Sequence, residues 1–254
     1  MIKIGVLIPE DYKLLSVAAI LEVFEIANKF QIIKGLDKPF DITLLTLNNN
    51  VDHFFKAYNT NNIDNEKCYN LVLIPSFTTE DINKTIKLNS AYIPWLIKQN
   101  NAEAEIATFC TGAFLLAATG LLDGKVATTH VDACPAFAIA FPSVQLKPDK
   151  TVTQDGRLFT SGGATSTFHL LLYLLQIHCG KELAIKTAKI FAIDMDRHNQ
   201  SYFSSFQPSK LHNDEIVASA QEKIENNYQD VATIEEMIRD IPSSRRNKLD
   251  DLNK

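Results

Sequence analysis

The chain has 254 residues, of which 46% are hydrophobic and 22% charged, and it carries a net charge of −5 at pH 7. That composition excludes wholesale disorder and supplies enough apolar surface for one large α/β domain with an appendage. The acidic balance argues against non-specific coating of nucleic acid or an anionic membrane.

In chain order, Ile2 to Ile8 is an apolar run of strand length. Val17 to Phe30 follows with Val17, Ile20, Leu21, Phe24 and Ala27 at helical spacing and Ser16 as a cap. Phe40–Leu47 and Leu71–Pro75 read as strands, Ala91–Gln99 as a helix with Pro94 in its first turn, and Glu105–Phe109 as a fourth strand. Thr151 to Thr160 reads as a hairpin around Asp155-Gly156. Ala164 to Cys179 is a buried helix stopped by Gly180, and Glu182 to Ile193 is another helix. This alternation predicts an α/β fold, a mostly parallel sheet with helices on both faces. Ligands of such sheets sit at the carboxyl ends of the strands.

The four cysteines, at 68, 110, 134 and 179, form no CxxC pair or Cys/His cluster, so neither a metal nor a cofactor is implied. MIKIGVLIPEDYK enters a strand directly, with no basic stretch and apolar run of signal-peptide type. Phe168–Ile177 is too short to span a bilayer. The expectation is a reduced, cytoplasmic protein with no membrane partner.

Residues 107 to 130 read ATFCTGAFLLAATGLLDGKVATTH. An apolar run ends at Cys110, a small-residue turn follows, and then an apolar helical stretch. A thiol at such a bend lies at a helix N-terminus, where unpaired amides and the helix dipole favour thiolate. The pattern has the form of a strand-to-helix nucleophile elbow. His130 ends the next short run, Val126–Thr129, so Cys110 and His130 are expected at the ends of two neighbouring strands.

FCTGAFLLAATGLLDGKVATTH resembles the ThiJ/PfpI superfamily, whose fold is flavodoxin-like and class I glutamine-amidotransferase-like. With ILEVFEIAN (20–28), DGRLFTSGGATSTFHLLLYLL (155–175) and KTAKIFAIDMDRHNQSYF (186–203), it resembles more narrowly the sensor domain of AraC-type transcriptional regulators. The resemblance covers about the first 205 residues and implies three parts: a ThiJ/PfpI-like domain over 1–195, a linker over 196–212, and a helix-turn-helix segment over 213–254. In that last part Ile216, Ala220 and Ile224 share one face, and Thr233 to Glu236 forms a capping box. Ser244, Arg245 and Arg246 would face DNA in an intact motif, but the first recognition helix is expected to be incomplete here. From His212 to Lys254 there are six Lys or Arg and ten Asp or Glu, a net of −4. So acidic a partial motif is expected to bind DNA weakly or not at all.

The resemblance also frames the chemistry. Cys110 is the candidate nucleophile and His130 the candidate acid/base. Related isonitrile-hydrating enzymes have an aspartate where alignment of LLSVAAILEVF puts Ser16, and a hydroxyl cannot replace a carboxylic acid. After the third strand, superfamily enzymes often present glycine amides to an oxyanion. Here the place reads Pro75-Ser76-Phe77, with Ser76 able to donate and Phe77 expected to crowd the approach. The expected role is therefore a regulator whose pocket, with Ser16, Ser76, Cys110, Thr111 and His130, senses a small molecule, as a homodimer. The alternatives are a cysteine-dependent hydratase, amidase or glyoxalase-like enzyme, or a redox sensor. Ser161-Gly162-Gly163 fits either an anion site or close packing, and His169, on an apolar helix, is expected to be a hydrogen-bonded core residue.

Overall fold

β1 (Ile2–Leu7) is an apolar strand buried on both faces over its last four residues, as expected of the centre of a parallel sheet. The computed structural model describes residues 1–47, 52–64, 67–78, 80–163, 165–200 and 215–227, with 233, 236, 239 and 240. The chain divides into two units, Met1–Ser204 and Ser205–Lys254.

In the first unit, β1 leads into α1 (Leu14–Ile33), whose Val17, Ile20, Leu21, Phe24 and Ala27 are buried. β2 (Phe40–Thr46) and β3 (Asn59–Asn62) extend the sheet on one side of β1. β4 (Leu71–Ile74) opens the other side. α2 (Ile82–Leu88) and α3 (Tyr92–Asn101) follow, with Pro94 in the first turn of α3. β5 (Glu105–Phe109) runs into a 3-10 turn and the short α4 (Ala113–Ala117).

β6 (Val126–Ala127), α5 (Cys134–Ala140) and β7 (Gln145–Leu146) form an excursion in which β6 and β7 pair with each other. The hairpin β8 (Val152–Asp155) and β9 (Leu158–Ser161) turns at Gly156, whose φ of +62° suits glycine there. α6 (Ser166–Cys179) ends at Gly180 and α7 (Lys181–Phe191) at Ala192, the latter with φ +51°. Strand order is β3-β2-β1-β4-β5-β9-β8, parallel except for the β8/β9 pair.

One core joins α1, α6 and α7 to one face of this sheet, and a second joins α3 and α4 to the other. The expected mostly parallel sheet with helices on both faces is therefore present. The chain moves outward in both directions from β1 and β4, so the crevice beyond their carboxyl ends is the topological switch point. Two expectations are corrected. β6 is not a neighbour of β5, because the main sheet continues from β5 to β9 and β6 is a two-residue strand outside it. Residues 197–200 are bonded into the first unit: Thr151 N donates to His198 O at 3.1 Å and Gln200 N to Asp149 O at 2.7 Å.

In the second unit, α8 (Glu215–Asn227) buries Ala220. The capping box closes in both directions: Glu236 N donates to Thr233 Oγ1 at 3.3 Å and Thr233 N to Glu236 Oε2 at 2.9 Å. Ser244, Arg245 and Arg246 lie outside the described residues. Among the described residues, no helix is long and apolar enough to cross a membrane.

Candidate functional site

Cys110 is 7% exposed and sits at the bend between β5 and α4 with φ +54°, a left-handed conformation rare for a residue with a side chain. Such a backbone costs roughly 1–3 kcal/mol and persists only where its surroundings over-determine it. Three contacts do so here. Thr129 Oγ1 donates to Cys110 O at 2.9 Å. Thr111 Oγ1 accepts from Phe77 N at 2.9 Å and donates to Phe77 O at 3.3 Å. Gly112 lies so close to the end of β4 that a Cβ there would stand 2.5 Å from Pro75 O and 2.7 Å from Ile74 O.

Beside the thiol is a cavity of about 170 Å³ at the switch point. Lys13, Ser16 and Ala19 wall it from the start of α1, Ser76 from the loop after β4, and Thr167 and Phe168 from α6. Ser16 Oγ accepts the Ser76 amide at 3.1 Å, and Lys13 N donates to Ser76 O at 2.7 Å. Both amides that follow Pro75 are therefore already used, that of Ser76 by Ser16 and that of Phe77 by Thr111. The Phe77 ring does not crowd the cavity. It is buried in the core beneath α3 and α4, and the aromatic wall is Phe168.

His130 caps the 3-10 turn Val131–Ala133, and its Nδ1 accepts the Asp132 amide at 3.2 Å. An amide can only donate, so the Nδ1 lone pair is taken and the neutral ring presents Nε2–H, a donor. The ring packs against Gly163, where a Cβ would be 2.1 Å from His130 Cδ2. Cys134, one turn on, donates its thiol to His130 O at 3.4 Å, and burial pushes its pKa up. Thus Ser16, Ser76 and Cys110 line one cavity, Thr111 braces it from behind, and His130 is tied to the elbow through Thr129 but is not among the cavity's walls.

The walls from Lys13, Thr167 and Phe168 carry no mark in the sequence, because their placement depends on α6 packing against α1. Gln200 carries no such mark either, and it is 2% exposed. Its Nε2 donates to Thr129 O at 2.9 Å, Pro148 O at 2.8 Å and Thr128 Oγ1 at 3.2 Å, and its Oε1 accepts from Gly163 N at 3.2 Å. Gly162 and Gly163 serve this close packing against Gln200 and His130. Among the described residues, no His/Cys/Asp/Glu cluster suits a metal.

The family model described as DJ-1/PfpI matches residues 50–177, which include the elbow, His130 and the β8/β9 hairpin. The chain belongs to the DJ-1/PfpI family. Within this family it is 31% identical over 112 residues to the HTH-type transcriptional regulator CdhR of Pseudomonas aeruginosa, a match covering 44% of this chain and 33% of that protein. It is 35% identical over 114 residues to isonitrile hydratase of Pseudomonas putida, covering 44% of this chain and 46% of the enzyme. Both matches thus span less than half of the relative. The crystal structure of an AraC family transcriptional regulator from Pseudomonas putida superposes with a TM-score of 0.57 at 16% identity, covering 75% of this chain and all (100%) of that one, which shows the shared fold. DJ-1/PfpI relatives of this chain therefore include both regulators and an enzyme, and the distinction between them rests on the site.

Proposed function

We propose that this DJ-1/PfpI domain senses a small molecule for an AraC-type transcriptional regulator, residues 213–254 belonging to its helix-turn-helix part. The observation that carries the reading is the bond from Ser76 N to Ser16 Oγ. It puts a neutral hydroxyl where a catalytic acid would be needed and consumes an amide that would otherwise face an oxyanion. The orientation of His130, with Nδ1 accepting, supports the same reading. The cavity beside Cys110 suits a ligand of only a few heavy atoms, since ligand sites usually measure about 300–1,000 Å³. The similarity to CdhR supports a regulatory role. DNA contact by Ser244, Arg245 and Arg246, and the homodimer, belong to the same proposal.

Mobility-shift assays of the full gene product on its own upstream DNA test it. A sequence-selective shift altered by a bound metabolite is expected, and the absence of any selective shift defeats the reading. Sedimentation of the same material reads the dimer.

A second reading is a cysteine-dependent enzyme. It is favoured by the left-handed backbone at Cys110 and by the similarity to isonitrile hydratase. Turnover of isonitriles, methylglyoxal or simple amides that vanishes in Cys110→Ser would establish it in place of the sensor.

A further inference from the structure

A second cavity, of about 480 Å³, opens between β8, α6 and residues 195–198, away from the elbow. It falls in the size range of about 300–1,000 Å³ typical of metabolite sites. Val152, Leu172 and Met195 give it an apolar floor, while Lys150, Arg197 and Gln176 supply polar walls. None of the described wall residues is acidic.

The cationic groups are held in place. Arg197 Nε donates to Asn199 O at 3.2 Å and its Nη1 to Thr165 Oγ1 at 2.8 Å. Lys150 Nζ lies 3.4 Å from Asn199 Oδ1 and 3.9 Å from the Asp149 carboxylate, whose exposure makes it a weak offset. His169, in the same wall, has Nδ1 3.0 Å from Thr165 O and Nε2 2.8 Å from Asp194 O. A neutral ring donates to one of these carbonyl oxygens at a time, so His169 is held in the wall as a polar group.

We infer that this cavity is a binding site for a small organic carboxylate with an apolar body. The floor accepts the body and the basic wall accepts the charge, the planar guanidinium being suited to a carboxylate. Met195, Arg197 and His198 come from the segment that Thr151 docks onto β8, through its amide to His198 O at 3.1 Å and its hydroxyl to Arg197 O at 3.2 Å. A ligand spanning α6 and this segment therefore fastens residues 195–200 in place. The inference is independent of the elbow cavity's role.

Calorimetry on the whole chain, with benzoate as the carboxylate probe and benzamide as its neutral counterpart, tests this. Saturable benzoate binding is expected, with benzamide at least about tenfold weaker. Gln176 is exposed, so Gln176→Glu leaves the core intact while placing a like charge at the rim, and at low ionic strength it should weaken benzoate about twofold. In methyl NMR spectra, benzoate should shift Val152, Leu172 and Met195. The inference is overturned if benzoate does not saturate by on the order of 10 mM, if benzamide binds equally well, or if Gln176→Glu changes nothing. It is also overturned if the shifts are confined to Leu15, Ala19 and Thr167, which would put the probe at the elbow.

Discussion

The hydroxyl of Ser16 and the amide of Ser76, sixty positions apart in sequence (|i−j| = 60), are joined at 3.1 Å beneath the Cys110 cavity. This bond ties the start of α1 to the loop after β4 across the switch point of the sheet. A single hydroxyl thereby bridges the two walls of the cavity and stands where a carboxylic acid would be needed for catalysis.

Removing that hydroxyl isolates a buried donor. Ser16→Ala should lower unfolding free energy by about 1–3 kcal/mol, the usual range for a buried group left without its partner. The lower part of that range is expected, because the adjoining cavity can admit water to the freed amide. Urea denaturation of wild type and variant measures the difference, and a change under a few tenths of a kcal/mol would show that the bond does not matter.

The elbow makes a second demand. Gly112→Ala would set its Cβ 2.5 Å from Pro75 O, a backbone atom that no side-chain rotation can move aside. A loss near the upper end of the ~1–3 kcal/mol typical of overpacking is expected, with β4 and the 110–112 turn pushed apart. Thermal unfolding reports the loss, and faster alkylation of Cys110 reports the opened bend.

Much of this was readable in advance. β1, β4 and β5 declare themselves as short apolar runs, and the CTG turn marks the elbow because small residues are required where the backbone approaches β4. Other elements carry no such mark. β3 is NTNN, an edge strand whose pairing depends on β2 rather than on apolar alternation. β6 and β7 are two residues each and exist by pairing with each other. The run before His130 forms its strand with β7 outside the main sheet, and His130 reaches the end of β9 through Gly163 instead. The walls of the 480 Å³ cavity come from three separated segments, so only the fold assembles them. Gln200 sits in a polar stretch that reads as linker, and its burial is a tertiary fact.

The thiols should differ in their response to pH. Burial raises the pKa of both Cys134 and Cys179, so each holds less thiolate at neutral pH than an unperturbed thiol would. Cys68 is exposed and should alkylate first. Peptide mapping after iodoacetamide treatment at rising pH should show Cys134 and Cys179 lagging and catching up only in alkaline solution. Equal labelling of Cys134 and Cys68 at neutral pH would contradict the burial argument.

Asp155 gives an acid-side expectation. Its pKa is lowered, first by the Val126 amide that it accepts at 3.0 Å and then by the Lys125 ammonium at 3.1 Å. A depressed carboxylate adds stability above its unfolded pKa and loses that contribution as pH falls through its folded value. Asp155→Asn should therefore flatten the acid limb of the stability curve. Because Lys125 is exposed and Asp155 only half-buried, added salt should shrink the Lys125 share of the effect and leave the Val126 hydrogen bond.

Gln200 offers the sharpest test of how the region behind His130 is held. Its amide nitrogen faces three oxygens, those of Thr129, Pro148 and Thr128, while its amide oxygen accepts the Gly163 N–H. Gln200→Ala leaves these buried groups unpaired and opens a hole, and a loss of roughly 3 kcal/mol is expected. Gln200→Glu keeps size and shape but replaces the donor with a second oxygen, so it faces the carbonyl oxygens of Thr129 and Pro148 with no hydrogen between them, and only the Thr128 hydroxyl, by turning away from Lys150 O, could donate to it. If packing alone mattered, this isosteric change would be mild. If the hydrogen bonds matter, it should be as damaging as alanine at neutral pH. The damage should then ease on acidification, since the buried carboxyl has a raised pKa and its neutral form regains one donor. Urea titrations of both variants at neutral and acid pH, with hydrogen exchange at Gly163, separate the two causes.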